Sequence, residues 1–207
     1  MSAPAPDPVP APDPAPDPAP ARRRCPWPGV DTDPLYAAYH DDEWGRPVHG
    51  STALFERLSL EAFQSGLSWV TILRKRPAFR SAFAGFEPAV LAGWGTTEVD
   101  RLLGDAGIVR NRRKIDAVLT NARVIADTGL DLDELLWSFA RPAGSRPRRP
   151  AAPADVPAAT GESAAMAREL RRRGIGFVGP TTAYALMQAT GMVDDHVLGC
   201  WLAATGP

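Results

Sequence analysis

Apolar residues recur at helical spacing through most of the chain, and no run of alternating apolar and polar residues of the kind that indicates a strand persists. The clearest stripe follows Ser51, a good N-cap residue, where Leu54 and Leu58 lie one turn apart on a helix predicted to reach about Gly66. The other predicted helices start near a proline or cover a periodic segment: they begin at Pro77 and Pro88, lie within 33–45, and span 97–103, 111–126, 162–173 and 180–191. The pattern therefore predicts an all-α protein.

A glycine-rich turn joins the last two predicted helices. Gly174 closes a basic helix, residues 176–179 form a tight turn, and Pro180 opens the next helix where its missing N–H costs nothing. Such a turn directs backbone N–H groups and the positive end of a helix dipole outward, which suits a phosphate group. The same pattern also fits an ordinary corner in a helix bundle, so the turn alone leaves both interpretations open.

Composition changes the picture at the N-terminus and in one loop. With 207 residues the chain is long enough for one well-buried domain. Residues 1–22 are rich in Pro, Ala and Asp and are predicted to be a disordered tail, which leaves a single domain over residues 23–207. A second stretch rich in Pro, Arg and Ala, residues 141–157, is predicted to be a mobile surface loop.

Charge and cysteine content narrow the class of protein. The formal net charge of −1 carries no global polycationic signature, although arginines and Lys114 form local basic clusters that either face phosphates or cover solvated surface. Two cysteines are too few for a disulfide framework or an iron–sulfur cluster. Because no signal peptide or membrane-spanning run is recognisable, a cytoplasmic protein without a membrane partner is expected.

One carboxylate falls on an apolar helix face. Glu61 lies three residues after Leu58 on the stripe, with Phe63 and Leu67 nearby. A carboxylate in such surroundings is costly unless it has a partner. Glu61 is therefore predicted either to pair with a buried donor or to await a ligand.

The cysteines and two of the three histidines suggest a metal site. His196 and Cys200 are one helical turn apart, while Cys25 and His40 lie far away near the N-terminus. Two thiolates and two imidazoles form the closed tetrahedral set that is typical of structural zinc. The alternative is two unrelated buried cysteines and two histidines with structural hydrogen bonds. His49 is expected to be an exposed loop residue.

Four stretches resemble the 3-methyladenine DNA glycosylase I family of helix-hairpin-helix DNA glycosylases. They are the aromatic and acidic segment 33–45, Leu60 to Trp69, the hairpin 176–187 with Gly176-Phe-Val-Gly, and Val193-x-Asp-His-Val-x-Gly-Cys200. The resemblance covers about residues 23–203, apart from the variable loop. It implies a helix-hairpin-helix glycosylase fold in which zinc, bound by Cys25, His40, His196 and Cys200, joins the N- and C-terminal segments.

The resemblance also implies an activity and a binding site. A monomeric enzyme of this family flips 3-methyladenine out of alkylated double-stranded DNA and removes it by hydrolysis. The positively charged base is expected to lie against Tyr36, Tyr39, Trp44 and Trp69, with Glu61 accepting a hydrogen bond from its exocyclic amine. Gly66 and Leu67 are a candidate wedge into the base stack, and Gly176, Gly179, Thr181 and Thr182 are expected to contact DNA.

Two positions depart from related enzymes. Thr181 stands where bifunctional helix-hairpin-helix glycosylases carry a Schiff-base lysine, which predicts a monofunctional enzyme without lyase activity. Asp194 occupies the place of the wider superfamily's catalytic aspartate, where this family often has Asn. Asp194 is predicted either to stabilise an oxocarbenium-like transition state or to cap the structure near the metal ligands, and the second interpretation is favoured.

Three other functions fit part of the sequence. A non-catalytic DNA- or RNA-binding hairpin protein would use the hairpin and the basic clusters but has no need of Glu61 among aromatic residues. A glycosylase for another damaged base would share the motifs and differ in the shape of its pocket. A purely structural zinc module would not need the aromatic segment.

Overall fold

The computed structural model of the protein describes residues 22–140 and 149–204. Within these ranges there are nine α-helices and no strand, so the all-α prediction is confirmed there. The helices are α1 Pro34–Asp42, α2 Ser51–Gln64, α3 Trp69–Ala82, α4 Pro88–Ala92, α5 Thr96–Gly104, α6 Arg112–Thr128, α7 Leu132–Trp137, α8 Gly161–Arg172 and α9 Pro180–Ala189. The predicted disordered tail, except for Arg22, and residues 141–148 of the predicted loop lie outside the described residues.

Helix α2 occupies the centre of the fold and packs against α3, α6, α7 and α9. Its residues from Leu58 to Phe63 are all buried, so the helix is enclosed on more than its apolar stripe. Phe63 joins Phe79 at a ring distance of 4.7 Å in a cluster of buried aromatic rings. Full burial of one such side chain contributes about 1.5–3 kcal/mol. Any polar group on the inner surface of α2 is therefore removed from bulk water.

The prediction that Pro77 starts a helix is wrong. Pro77 lies inside α3, which runs unbroken from Trp69 to Ala82. An interior proline costs a helix about 3 kcal/mol or more. The helix nevertheless continues because Ile72, Leu73 and Phe79 on either side of it are buried in the core.

The prediction that Ser51 is an N-cap is also wrong. Gly50 is the N-cap of α2, with a φ of 91°, and Ser51 is the first residue inside the helix. The Gly50 N–H donates to the Asp133 carboxylate at 2.6 Å, and the Ser51 hydroxyl oxygen accepts from the Leu132 N–H at 3.1 Å. Long-range contacts with α7 thus replace the local cap that the sequence pattern suggested.

Helices α8 and α9 form the predicted hairpin. The chain leaves α8 through Gly174, which has a φ of 89°, and the Ile175 N–H donates to the Leu170 carbonyl at 2.9 Å. This arrangement is a Schellman motif, which satisfies the last carbonyl groups of a helix. Pro180 then begins α9 at its first position, as predicted. No helix in the described residues combines the length and the apolar character needed to cross a membrane.

The N- and C-terminal segments of the described chain meet beside this hairpin. The Trp201 N–H donates to the Arg23 carbonyl at 2.8 Å, and the Arg22 guanidinium lies 4.3 Å from the Trp201 ring centre. Buried Cys25 and Cys200 pack in the same small cluster. Residues far apart in sequence are thereby brought into contact.

Candidate functional site

An aromatic cavity of about 270 Å³ opens between α1, α2, α3 and α9. This volume lies just below the usual range for ligand pockets, about 300–1,000 Å³, so it suits a small ligand. All five predicted substrate-binding residues line it. The full lining consists of Trp27, Tyr36, Tyr39, Trp44, Glu61, Gln64, Trp69, Pro153, Val156, Ala185, Gln188, Asp195 and Val197.

Glu61 is the most unusual group in the aromatic cavity. Its side chain comes from the enclosed helix α2, and only 5% of the residue is exposed. No described residue gives its carboxylate a hydrogen bond or an ion pair, so the alternative of a structural partner finds no support. Burial raises the pKa of Glu61 to about 8, and the positive charge of Arg57 opposes that shift only in part.

Arg57, the cation whose charge acts on Glu61, hydrogen-bonds to a different acid, Glu43. Arg57 donates to the Glu43 carboxylate at 2.7 Å, and Arg76 makes two further bonds to it at 2.6 and 2.7 Å. Burial alone would raise the pKa of Glu43, but the bonds from Arg76 and Arg57 outweigh it and lower the pKa to about 2. Because these arginine bonds go to Glu43, the Glu61 carboxyl receives no hydrogen bond from Arg57 or Arg76 and lies in an apolar setting.

The aromatic rings form the walls on either side of Glu61. Tyr39 and Trp69 lie 5.2 Å apart between ring centres, and Trp27 stacks on Tyr36 at 5.4 Å. Trp44 meets Trp27 edge-on at 4.7 Å. Burial, together with the negative charge of Glu61, holds the pKa of Tyr39 well above its usual value, so this side chain stays neutral. The cavity therefore presents ring faces and one acid to an incoming ligand.

Several residues line the cavity that the sequence did not predict there. Gln64 lies three residues after Glu61 on α2, and this helical spacing could have revealed it. Asp195 accepts hydrogen bonds from the Tyr184 hydroxyl and the Gln188 amide, both at 2.7 Å. No local pattern could have linked Trp27 or Asp195 to Glu61, since they come from distant segments.

The described part of the predicted surface loop also belongs to the cavity. Pro153 and Val156 line the aromatic cavity, and a short 3-10 helix spans Pro153–Asp155. The Leu198 N–H donates to the Pro150 carbonyl at 2.9 Å, which ties the segment to the C-terminal part of the chain. The prediction of a surface loop is therefore incomplete for residues 149–157, because its apolar members cover one side of the cavity.

Asp194 lies outside the cavity lining and makes structural contacts. Its carboxylate forms an ion pair with Arg149 at 2.7 Å and accepts from the His196 N–H at 3.2 Å. The Asp194 side chain is only 13% exposed. This position favours the capping interpretation over a part in catalysis.

A group of potential metal ligands lies next to the aromatic cavity. It consists of Cys25, His40, His196 and Cys200 and is here called the Cys/His cluster. All four are buried, and their potential ligand atoms lie within 4.8 Å of one another. The Cys25 sulfur is 3.5 Å from His196 Nδ1, and the Cys200 sulfur is 3.6 Å from His40 Nε2. Tetrahedral zinc with ordinary Zn–S and Zn–N bond lengths would separate such atoms by about 3.5 Å. The donor set and its spacing therefore fit a metal ion.

A second layer of contacts orients this cluster. The Asp41 carboxylate lies 2.8 Å from His40 Nδ1, which leaves Nε2 directed toward the sulfur atoms. Arg24 and the Trp201 indole in turn hold Asp41, at distances from 2.7 to 3.2 Å. Carboxylate–histidine pairs of this kind are typical around bound metal ions.

The two candidate DNA-contacting turns lie at the surface. Residues 65–68, here called the wedge turn, are exposed; Gly66 has a φ of 83°, and Leu67 is 43% exposed. Residues 176–179, here called the hairpin turn, expose the Phe177 side chain by 37%. Thr181, at the start of α9, is exposed, whereas Thr182 is half-buried. His49 is exposed as expected, although it stacks on Trp137.

Comparisons with known proteins agree with this geometry. Residues 27–203 match the family model described as methyladenine glycosylase. The chain is 43% identical to the DNA-3-methyladenine glycosylase 1 of Escherichia coli K12 over 86% of its own length and 95% of that protein.

Solved structures show the same similarity. One of 3-methyladenine DNA glycosylase I matches with a TM-score of 0.80 at 42% identity, covering 86% of this chain and 98% of that one. A Staphylococcus aureus structure that addresses 3-methyladenine recognition matches with a TM-score of 0.74 at 32% identity, covering 82% of this chain and 92% of that one. The chain therefore belongs to the methyladenine glycosylase family.

Proposed function

We propose that the protein flips 3-methyladenine out of alkylated double-stranded DNA and removes it by hydrolysis, as a monomeric, monofunctional glycosylase of the cytoplasm. Membership of the family gives the enzyme class, a DNA-3-methyladenine glycosylase. The observation that carries the finer proposal is the buried carboxyl group of Glu61, which has no partner among the described residues and lies between aromatic rings.

Glu61 matches the charge of the damaged base. Methylation at N3 makes the adenine of a nucleotide cationic, while undamaged adenine is neutral. A cation in the cavity lowers the pKa of Glu61 from its value of about 8, so the carboxylate forms as the base enters. A neutral base gives no such gain, and the energy that is released favours the methylated base.

The rings add to this preference. Tyr39 and Trp69 lie beside Glu61 and offer π faces to a flat cation. A well-placed cation–π contact contributes about 0.5–2 kcal/mol, depending on how dry the site is. Gln64 and Gln188 supply amide groups on the same lining that can bond to the edge of a base.

The chemistry requires little acid catalysis. The glycosidic bond of the cationic nucleotide is already weakened, and the base leaves as a neutral molecule when water attacks the sugar carbon. Thr181 occupies the position where a Schiff-base lysine would act, which supports hydrolysis without strand cleavage. The main tasks of the protein are then to extrude the base and to hold it.

The surface turns serve extrusion. Leu67 at the tip of the wedge turn can fill the space that the flipped base leaves in the stack. The hairpin turn and the first N–H groups of α9, near Gly179, Thr181 and Thr182, can bind a backbone phosphate. Both turns contact DNA without reading its sequence, as a repair enzyme requires.

The Cys/His cluster would hold structural zinc. Cys25, His40, His196 and Cys200 would supply all four ligands and leave no open position for chemistry. When bound, zinc supplies the positive charge that keeps both sulfur atoms as thiolates. The ion would join the segment before α1 to the segment after α9, both of which contribute walls to the aromatic cavity.

The decisive experiment measures bases released from methylated duplex DNA. We expect the wild-type protein to release 3-methyladenine, and Glu61→Gln to release it about 100- to 1,000-fold more slowly in single turnovers, because the flipped cationic base then loses its charged partner in the cavity, a loss that costs about 2–5 kcal/mol at buried charge pairs. The matched control is Glu56→Gln on the same helix, since Glu56 pairs with Arg80 at 2.8 Å away from the cavity.

Other outcomes would change the proposal. Tight binding to methylated DNA without release of any base would indicate a non-catalytic DNA-binding protein. Release of a different damaged base in preference to 3-methyladenine would keep the glycosylase and change its substrate. Equal rates for Glu61→Gln and Glu56→Gln would remove Glu61 from recognition.

A further inference from the structure

Helix α6 reaches the wedge turn through a buried lysine. Lys114 is only 7% exposed, and its ammonium group donates to the carbonyl oxygens of Phe63 at 2.8 Å and Ser65 at 2.7 Å. These carbonyls are at the C-terminal end of α2, where a cation also complements the helix dipole. Lys114 therefore fixes the backbone from which Leu67 projects, and its own side chain is not part of the cavity lining, although Gln64 between its two acceptors is.

The same helix reaches the hairpin turn through a buried asparagine. Asn121 is 4% exposed, and its amide nitrogen donates to the Gly176 carbonyl at 3.1 Å. The Gly176 N–H donates back to the Asn121 side-chain oxygen at 2.8 Å. One side chain thus engages both backbone groups of the residue that opens the hairpin turn.

The spacing of these two residues aligns them on α6. Residues seven apart differ by only about 20° around a helix and by about 10 Å along its axis. Between them, Ile115, Val118 and Leu119 are buried in the core, which holds α6 in place. The distance between the wedge turn and the hairpin turn is consequently set by a rigid segment of helix.

Both contacts are specific to backbone position. Each polar side chain bonds to main-chain atoms, so it fixes the path of a turn whatever side chains that turn carries. Apolar residues at these places would leave the Phe63, Ser65 and Gly176 backbone groups without these partners, which costs about 1–3 kcal/mol for each buried group. Lys114 and Asn121 therefore hold the backbone of the two turns in one conformation.

We propose that α6 is the spacer that aligns the two DNA-contacting turns, with Lys114 positioning the wedge turn and Asn121 positioning the hairpin turn. This inference rests on the proposed function, because it assumes that Leu67 enters the duplex while the hairpin turn holds the backbone. Lys114 is a positioning residue that acts through Leu67, and it takes no part in the chemical step.

The test compares Lys114→Met with Lys75→Met. Lys75 is a matched control because its ammonium group also donates to two carbonyl oxygens, those of Ala106 at 2.8 Å and Gly107 at 3.1 Å, at a different turn. Each variant is assayed for binding of free 3-methyladenine, for thermal stability, and for single-turnover excision. One duplex carries the lesion opposite thymine, and a second carries it opposite an abasic site, where the base is already loosely stacked.

The expected result separates positioning from general damage. Lys114→Met should bind free 3-methyladenine within about twofold of wild type, because no lining side chain is replaced and α2 still holds Glu61 and Gln64, but excise the paired lesion at least about 10-fold more slowly. Loss on the loosely stacked lesion should be below about threefold, since less work of extrusion remains. Lys75→Met should match wild type in all three. Equal losses on both duplexes, or no difference from Lys75→Met, would overturn the inference.

A double-mutant cycle tests whether Lys114 acts through Leu67. Leu67 is exposed, so Leu67→Ala should fold normally, and adding Lys114→Met to it should cost less than twofold more. Independent, multiplicative losses would contradict the inference. If Lys114→Met does not fold, Lys114→Gln, which keeps an N–H donor group on a shorter side chain, takes its place in the same cycle.

A separate measurement tests the part assigned to Asn121. Asn121→Ala should weaken binding to undamaged duplex at least about fivefold and leave binding of free 3-methyladenine unchanged, whereas unchanged binding to duplex would contradict the part assigned to Asn121. Excision by the wild-type protein distinguishes failure of the proposed function from failure of the spacer inference. If wild type releases no 3-methyladenine, the proposed function fails; if it does and the variants behave as controls, only the spacer inference fails.

Discussion

The aromatic cavity and the Cys/His cluster lie side by side, and Trp44 contacts both. Each has one buried acid, and the two acids differ in their hydrogen-bond partners. Trp44 lines the cavity and also meets the His196 ring edge-on at 4.7 Å. Asp41 beside the cluster is 7% exposed and Glu61 in the cavity is 5% exposed, so solvent reaches little of either residue.

Their partners differ completely. Burial alone would raise the pKa of Asp41, but bonds from Arg24, His40 and Trp201 outweigh it and lower the pKa to about 2. Glu61 receives no such bond from any described residue, and burial raises its pKa to about 8. A buried acid with a full set of donors stabilises the structure, whereas one without them is a candidate for binding a ligand.

The largest expected effect is on how the free energy of unfolding depends on pH. Folded Glu61 has a pKa of about 8 against an ordinary 4.5, so the folded state binds this proton more tightly and loses stability as pH rises between those values. Compared with Glu61→Gln, wild type should lose up to about 5 kcal/mol of unfolding free energy between pH 4.5 and 8.5. Urea unfolding of both proteins at each pH measures this, and parallel pH profiles would show that Glu61 has a hidden partner.

Removing the charge of Asp41, which is hydrogen-bonded to His40, should weaken metal binding. In Asp41→Asn, His40 loses its carboxylate partner, and zinc affinity should fall about 10- to 100-fold. Competition with a chelator gives the affinity, and excision measured at saturating zinc is the control. We expect excision there to stay within about twofold of wild type; a large loss with zinc bound would place Asp41 in the cavity's chemistry.

The smallest effect is expected at Asp194. This residue pairs with Arg149 and caps the His196 N–H, outside the cavity lining. Asp194→Asn keeps the size and the acceptor oxygen, so single-turnover excision should change by less than about threefold, with a modest loss of thermal stability. A loss of 100-fold or more would assign Asp194 to transition-state stabilisation.

The sequence predicted most of what depends on residue type and local spacing. Glu61 was found because it interrupts an apolar helical stripe, and the Cys/His cluster because four suitable ligands occur near the two ends. The hairpin followed from Gly174 and Pro180, whose backbone preferences act within a few residues.

The features that could not be predicted from the sequence depend on long-range packing. Ser51 lost its expected cap to contacts with α7, and Pro77 is tolerated because the core holds α3 on both sides. Asp195 and Val156 line the same cavity as Glu61 only because three distant segments meet. The absence of a described partner for Glu61 likewise reflects where Arg57 is directed, which no local pattern records.

The central claim is that Glu61 has no charge or hydrogen-bond partner until a cationic base arrives. A carbon-13 NMR titration of the Glu61 carboxyl, assigned by its loss in Glu61→Gln, measures this directly in the free protein. The account predicts a midpoint near pH 8. A midpoint at or below the ordinary value of 4.5 would mean that the group is solvated or already paired, and it would contradict the account.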